Sequence, residues 1–353
     1  MNNISLTSRI DLNSSLLRVR MTQLGDQIST GRKGNSYAAL GTDAPRAMDL
    51  RAEIGRRETY QNVIDQALSK VAVTQNVLDR LGAIADKFAA GAAKLMGAVK
   101  SEEVQIQVGQ AKAALVEVAS LLNERYNSEY LFGGSNTREP PIPDPEGIEN
   151  SGMVAGIIGK IASLNGANAA TVLSDTKALA QSDDLATTPF SAFLSTAPGK
   201  DEARRSLLGN DNERIEYGIV ANKNAAVQSA GETTGSWARD LIRGLASIAG
   251  LTPEKAQLGE SYSTVITTVQ QGFKSAVNAL ALERGALGVT ESRMMNVKGL
   301  HASVTTTLNL QVSGLEEVDM ATTITAFQAT QSQLEASYRA MALTQQLSLT
   351  RYL

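Results

Sequence analysis

The chain has 353 residues, a formal net charge of −3, 42% hydrophobic content and only 4% aromatic content. Without a basic excess it lacks the footprint of a nucleic-acid binder or a polybasic membrane anchor. With no cysteine and a single histidine, His301, disulfides, thiolate or His-rich metal sites, Cys nucleophiles and histidine pairs are excluded.

The apolar residues are mostly Ala, Leu, Val and Ile, a composition suited to long packed helices. No stretch approaches the roughly 20 apolar residues of a membrane span. The N-terminal "MNNISLTSRIDLNSSLLRVR" lacks the basic start and apolar run of a conventional secretory signal. In it, Leu17, Met21, Leu24 and Ile28 recur at spacings of four and three, predicting an amphipathic helix. Asp11 or Asn13 is its expected N-cap. "STGRKGNS" (29–36), with two glycines, ends it.

A second helix is expected from Pro45, whose fixed φ suits a first turn. Its heptad seam is Leu50, Ile54, Arg57, Gln61, Ile64, Leu68, Val71, Gln75 and Leu78. The seam continues through Leu81, Ala85, Phe88, Ala92, Leu95 and Val99. After an expected break at "KSEE" it resumes from Val104 to Leu122. "YLFGGSNTREPPIPDPEG" (130–147) is a turn-rich connection. Between about 138 and 262, Gly, Asn, Ser and Asp punctuate short apolar runs. "RIEYGIV" (214–220) alternates as a strand does, and "SWARDLIRGLASIAG" (236–250) reads as a short helix ending at Gly.

Heptads return with Ile266, Val269, Phe273, Val277, Leu280, Arg284 and Leu287. The last stripe is Met320, Ile324, Phe327, Gln331, Leu334, Tyr338, Met341 and Gln345, in a segment that stays apolar-faced to Leu353. The expected fold is therefore mainly α: a long coiled-coil-like helical rod of paired N- and C-terminal segments, with a small α+β insert. The expected divisions are 1–137, 138–262 and 263–353. Terminal segments this long and thin carry more apolar stripe than one rod buries. Surplus stripe implies partner helices and self-assembly, with Leu17, Met21, Leu24, Ile28, Met320, Ile324, Phe327, Leu334, Tyr338 and Met341 as packing residues.

Nothing in the sequence suggests an enzyme. His301 has no orienting partner nearby in sequence and reads as a packing or surface residue. Glu102–Glu103 and Glu316–Glu317 are adjacent on helices and do not face each other, so they read as solvated or helix-start charges. "GNSYAALG" and "LFGGSN" lack the fingerprint of a phosphate loop and read as turns. No catalytic, cofactor or metal residue is expected.

"QISTGRKGNSYAALGTDAPRAMDLRAEI" (27–54) resembles the N-terminal region of the bacterial flagellin family, with Ser29, Thr30, Gly31, Arg32, Asp43 and Pro45 on its turn pattern. This sequence has a single acidic residue where family members often carry two. "GLEEVDMATTITAFQATQ" (314–331) resembles the family's start of the last helix at Glu316, Glu317, Asp319 and Ala321. The resemblance covers about 1–135 and 262–353. "EYLFGGSNTREPP" and "LEASYRAMALTQQLSL" are similar to the hook-associated branch of the family more than to its bulk filament subunit. The resemblance implies a structural subunit whose terminal helices pair along an axial domain while the insert faces outward. It implies partners in copies of itself and in other flagellin-family or hook-associated subunits, and an export chaperone on its C-terminal region. It also implies type III export without a Sec signal and an extracellular place in the flagellum. Nucleic acid, membrane insertion and a small-molecule substrate are not expected. A surface adhesin or glycan-binding role of the insert is the alternative outside assembly.

Overall fold

The computed structural model describes residues 2–96 and 100–346. Their architecture is mainly α, with long helices in both terminal segments. Helix α1 spans Asn2–Thr30, α2 Ala44–Lys94, α3 Ser101–Leu122, α8 Glu260–Glu316 and α9 Met320–Gln346. Between α3 and α8 lie α4 (Gly152–Ala162), α5 (Ala169–Gln181), α6 (Ala192–Ser195) and α7 (Trp237–Ala249). Two antiparallel two-stranded ribbons complete it, β1–β2 (Arg125–Tyr126, Glu129–Tyr130) and β3–β4 (Ser206–Asn210, Glu213–Glu216).

Packing divides the chain into two compact units, 60–299 and 1–59 with 300–353. Helices α2 and α8 contribute residues to both. The larger unit holds the main core. Leu78, Leu81 and Phe88 of α2, Leu115 and Leu122 of α3, and Phe273 and Leu280 of α8 are buried in it. The Phe88 and Phe273 rings lie 6.0 Å apart, tilted by 29°. Burial of each such side chain stabilises by about 1.5–3 kcal/mol.

Helix α7 is buried along its whole length, from Trp237 to Ala249. It packs on α3 as well as on α4 and α5, so the short helices and the long ones share one core. Its charged residues are buried with their partners. Arg239 donates to the carbonyls of Ala180 (2.8 Å), Ser182 (3.0 Å) and Asn222 (3.0 Å) and pairs with Asp183. Arg243 pairs with Glu232 at 2.7 Å and donates to the Leu173 carbonyl at 3.0 Å. A buried guanidinium is tolerable only when its donors are occupied in this way.

Several local expectations change. Helix α1 starts upstream of Asp11 and Asn13, which lie inside it and do not cap it. The interruption near 100 precedes "KSEE". Lys100 is the N-cap and Glu102 and Glu103 sit in the first turn of α3, where carboxylates complement the helix dipole. Val99 lies outside the described residues, as do 347–353. The strand expected over 214–220 ends at Glu216, and Val220 forms only isolated bridges to Gly133 and Lys223. Gly218 has no side chain to extend the alternation, and a Cβ there would meet the Arg205 backbone nitrogen at 2.7 Å. The β1–β2 hairpin was not anticipated. Asn127 (φ 48°) and Ser128 (φ 67°) form its turn, both left-handed as a type I′ turn requires. Two of the three polar seam positions of α2 have partners. Gln75 donates to Glu291 at 2.9 Å, and Arg57 pairs with Glu53 at 2.6 Å.

Candidate subunit interface

The unit made of 1–59 and 300–353 carries all of the sequence-predicted packing and turn residues. Helix α1 stops because Gly31 adopts φ +70°, while its N–H still donates to the Gln27 carbonyl at 2.8 Å. That is a left-handed helix end, which glycine accepts without a Cβ penalty. The chain then meets the end of α8. Lys33 N–H donates to the Glu316 carbonyl at 2.7 Å, Val318 N–H donates to the Gly31 carbonyl at 3.0 Å, and Arg32 bridges Glu317 antiparallel. The Gln27 side chain adds a bond to the Lys33 carbonyl at 2.9 Å.

The strongest side-chain link is Arg51 to Glu316. Arg51 Nε reaches Oε1 at 2.8 Å and Nη2 reaches Oε2 at 2.7 Å, a two-pronged pair. Glu316 is therefore neither solvated nor at a helix start. It closes α8 on to α2. The Arg51 bond holds the Glu316 carboxyl below the usual carboxylate range and raises the Arg51 guanidinium. His301 is buried, with Nδ1 3.2 Å from Arg57 Nη1, which makes it a packing residue with a polar neighbour. A cleft of about 220 Å³ opens beside this junction, lined by Arg32, Asn35, Ser36, Tyr37, Arg51 and Glu316.

The predicted turn residues all border the junction. Ser29 and Thr30 are exposed at the end of α1, and the Thr30 hydroxyl donates to the Asp26 carbonyl at 2.7 Å. Asp43 lies 3.8 Å from Lys33 Nζ. Pro45 is in the first turn of α2.

Helices α1 and α9 pack antiparallel. A Cβ on Gly25 would lie 3.8 Å from the Phe327 ring, and the Arg18 guanidinium sits 5.6 Å from the centre of the Tyr338 ring. The predicted stripe of α9 splits into two heptad series. In one, Phe327 and Met341 are half-buried and Leu334 is buried. In the other, Ile324 and Tyr338 are each 41% exposed and Gln331 is exposed. Met320, at the start, is 41% exposed. On α1, Leu17, Met21, Leu24 and Ile28 are half-buried. The side chain of Gln345 lies outside the described ones.

Two features escaped sequence reading. Thr323 and Thr330 are buried on α9, their hydroxyls donating to the Asp319 and Ala326 carbonyls at 2.8 Å each. A helical Thr that bonds its own preceding turn packs like an apolar residue, so polarity alone misplaces it. Leu12 (63%), Leu16 (60%) and Val19 (67%) form a second apolar strip on α1, exposed on another face. Their spacing of four and three was available as a signal. Asp319 accepts from the Ala321 and Thr322 N–H groups at 2.9 and 3.2 Å, capping α9.

One test of the junction follows from its charge. The folded-state pKa of Glu316 is depressed, so the pair's contribution is complete above the unfolded value of about 4.3 and is lost as pH falls through the lower folded value. Glu316→Gln removes this acid-side dependence and costs about 1 kcal/mol at neutral pH. Thermal melts of variant and parent across the acid range read both effects. Parallel pH profiles contradict the assignment.

Long terminal helices, paired yet leaving half of a heptad stripe open, define a helical structural protein with surface left for further helices. Two family profiles match the chain: the bacterial flagellin N-terminal helical region over residues 1–137 and the bacterial flagellin C-terminal helical region over 270–353. The chain belongs to the bacterial flagellin family, and as such is a structural subunit of the flagellum, which assembles outside the cell. It is similar to flagellar hook-associated protein 3 of Escherichia coli (strain K12), at 24% identity over 149 residues. That match covers 42% of this chain and 47% of the relative, about half the relative's length. No helix among the described residues is long and apolar enough to cross a membrane.

Proposed function

We infer that the chain is the hook-associated type of flagellar subunit and sits at the hook–filament junction, with the filament's bulk flagellin as the second reading. The single observation that carries an assembly role is the half-covered stripe of α9. Intrachain packing covers Phe327, Leu334 and Met341, while Ile324 and Tyr338 stay open at 41% each, the area a neighbouring subunit would cover. The similarity to a hook-associated protein favours the junction over the bulk filament. The flagellin profiles at both ends keep the second reading in place.

On this reading the partners are copies of this chain and other flagellin-family or hook-associated subunits. A chaperone would cover the C-terminal helix before export through the flagellar type III apparatus. Helices whose burial is supplied by neighbours order fully on contact. The ten stripe residues are the packing set, and Ser29, Thr30, Gly31, Asp43 and Pro45 form the turn that joins it to α2. An adhesive or glycan-binding role of the region 138–262 is a third possibility that no observed feature favours.

The test is a deletion strain viewed by negative-stain microscopy, with the insert labelled in the complemented strain. A junction subunit gives hooks without attached filaments, and label confined to one band at the hook's distal end. Label along the whole filament establishes the bulk subunit. Intact motile filaments in the deletion strain overturn both.

A further inference from the structure

Asn165 and Gly166 lie in the loop between α4 and α5, and both are exposed. The Asn165 side chain folds back along its own chain, its Oδ1 accepting the Ala167 N–H at 2.9 Å. Such an Asx turn brings the side-chain carbonyl carbon over the following peptide group. That hydrogen bond also withdraws electron density from the carbonyl and makes its carbon more electrophilic. Among the described residues, the Gly166 N–H donates to no acceptor, so its nitrogen is free to lose a proton and attack. Beyond its chain neighbours, no heavy atom lies within 4 Å of where a Gly166 Cβ would be, so the loop is open at this residue. The loop is otherwise fixed: Asn165 N–H donates to Asn168 Oδ1 at 2.8 Å, and Lys255 Nζ donates to the Leu164 carbonyl at 2.8 Å.

We propose that Asn165 is a site of spontaneous, self-catalysed modification, converting to aspartate and isoaspartate in the folded protein. The deprotonated Gly166 nitrogen forms a bond to Asn165 Cγ. The C–N bond of the side-chain amide breaks, and ammonia leaves with the proton taken from Gly166. Water then opens the resulting five-membered imide at either carbonyl, yielding Asp or isoAsp. Water is the only co-reactant and nothing is oxidised or reduced. The product places a new negative charge just before α5. In the isoAsp form it also lengthens the main chain by one methylene between the Lys255 and Asn168 anchors. The charge of this loop thus records the age of the molecule, independently of where in the flagellum the subunit stands.

The full chain is incubated in warm, mildly alkaline buffer and sampled by peptide mapping with isoaspartate detection. Asn165 converts ahead of the other asparagines, mostly to isoAsp, and faster as pH rises. Asn150 is an internal comparison, because the nitrogen that would attack it is engaged: Ser151 N–H donates to the Ile148 carbonyl at 3.1 Å. Gly166→Ala slows conversion roughly tenfold or more by placing a Cβ beside the attacking nitrogen. An unchanged thermal melt confirms that this variant folds. The proposal is overturned if Asn165 stays an amide in the folded chain while a synthetic peptide of residues 160–172 converts. It is equally overturned if Gly166→Ala converts at the parent rate.

Discussion

Phe273→Ala lowers the stability of the unit spanning 60–299 by about 3–5 kcal/mol, the range for deleting a buried aromatic side chain. For a unit of this size that is a fall of about 6–20 °C in melting temperature. The ring is fully buried and stacks on Phe88. It also lies against the backbone of α7, where a Cβ on Gly244 would meet the Phe273 ring at 2.6 Å. Gly244→Ala alone therefore overpacks the core and costs about 1–3 kcal/mol. In the Phe273→Ala background the same methyl group enters the space left by the ring and recovers part of the loss. The double variant is then more stable than the sum of the single effects allows. Denaturant titration of the four proteins gives the coupling. Strict additivity would mean that α7 and α8 do not touch through this pair.

The second large effect separates the two halves of the α9 stripe. Phe327→Asp puts a carboxylate against Gly25 on the α1–α9 seam. It is expected to unpair these helices in the isolated chain, because a half-buried charge without a partner costs several kcal/mol. Ile324→Asp lies on the open half, 41% exposed. It is expected to leave the monomer's helicity unchanged and to reduce assembly at least about tenfold, since the penalty arises only when a neighbour covers the site. Circular dichroism of the monomer and sedimentation of the assembled fraction read the two outcomes separately. Normal assembly of Ile324→Asp would remove the open stripe from the interface. Removing residues 320–353 should abolish both behaviours in one step.

The heptads located the long helices well, because burial of one helix face imposes a period that survives in any single sequence. The turn after α1 was legible at Gly31, where the backbone needs a left-handed residue. The region 138–262 was less legible. Its helices are too short for a long period, and α7 carries a polar face, Arg239, Asp240, Arg243 and Ser247, that is itself buried, so amphipathicity misplaces that face in solvent.

What the sequence determined by itself was the helix periods, the glycine stop and the terminal motifs of the flagellin family. These depend on local backbone geometry and on the spacing of apolar residues along one element. Only the tertiary structure decided which half of the last stripe is covered within the chain, and that Glu316 belongs to Arg51. A helix presents several faces, and amphipathicity tells which are apolar without telling which neighbour covers them. Nor does spacing reveal an ion pair whose partners lie 265 positions apart. Such pairings become definite only when distant segments pack, because the free energy that selects them comes from desolvation and contact between elements.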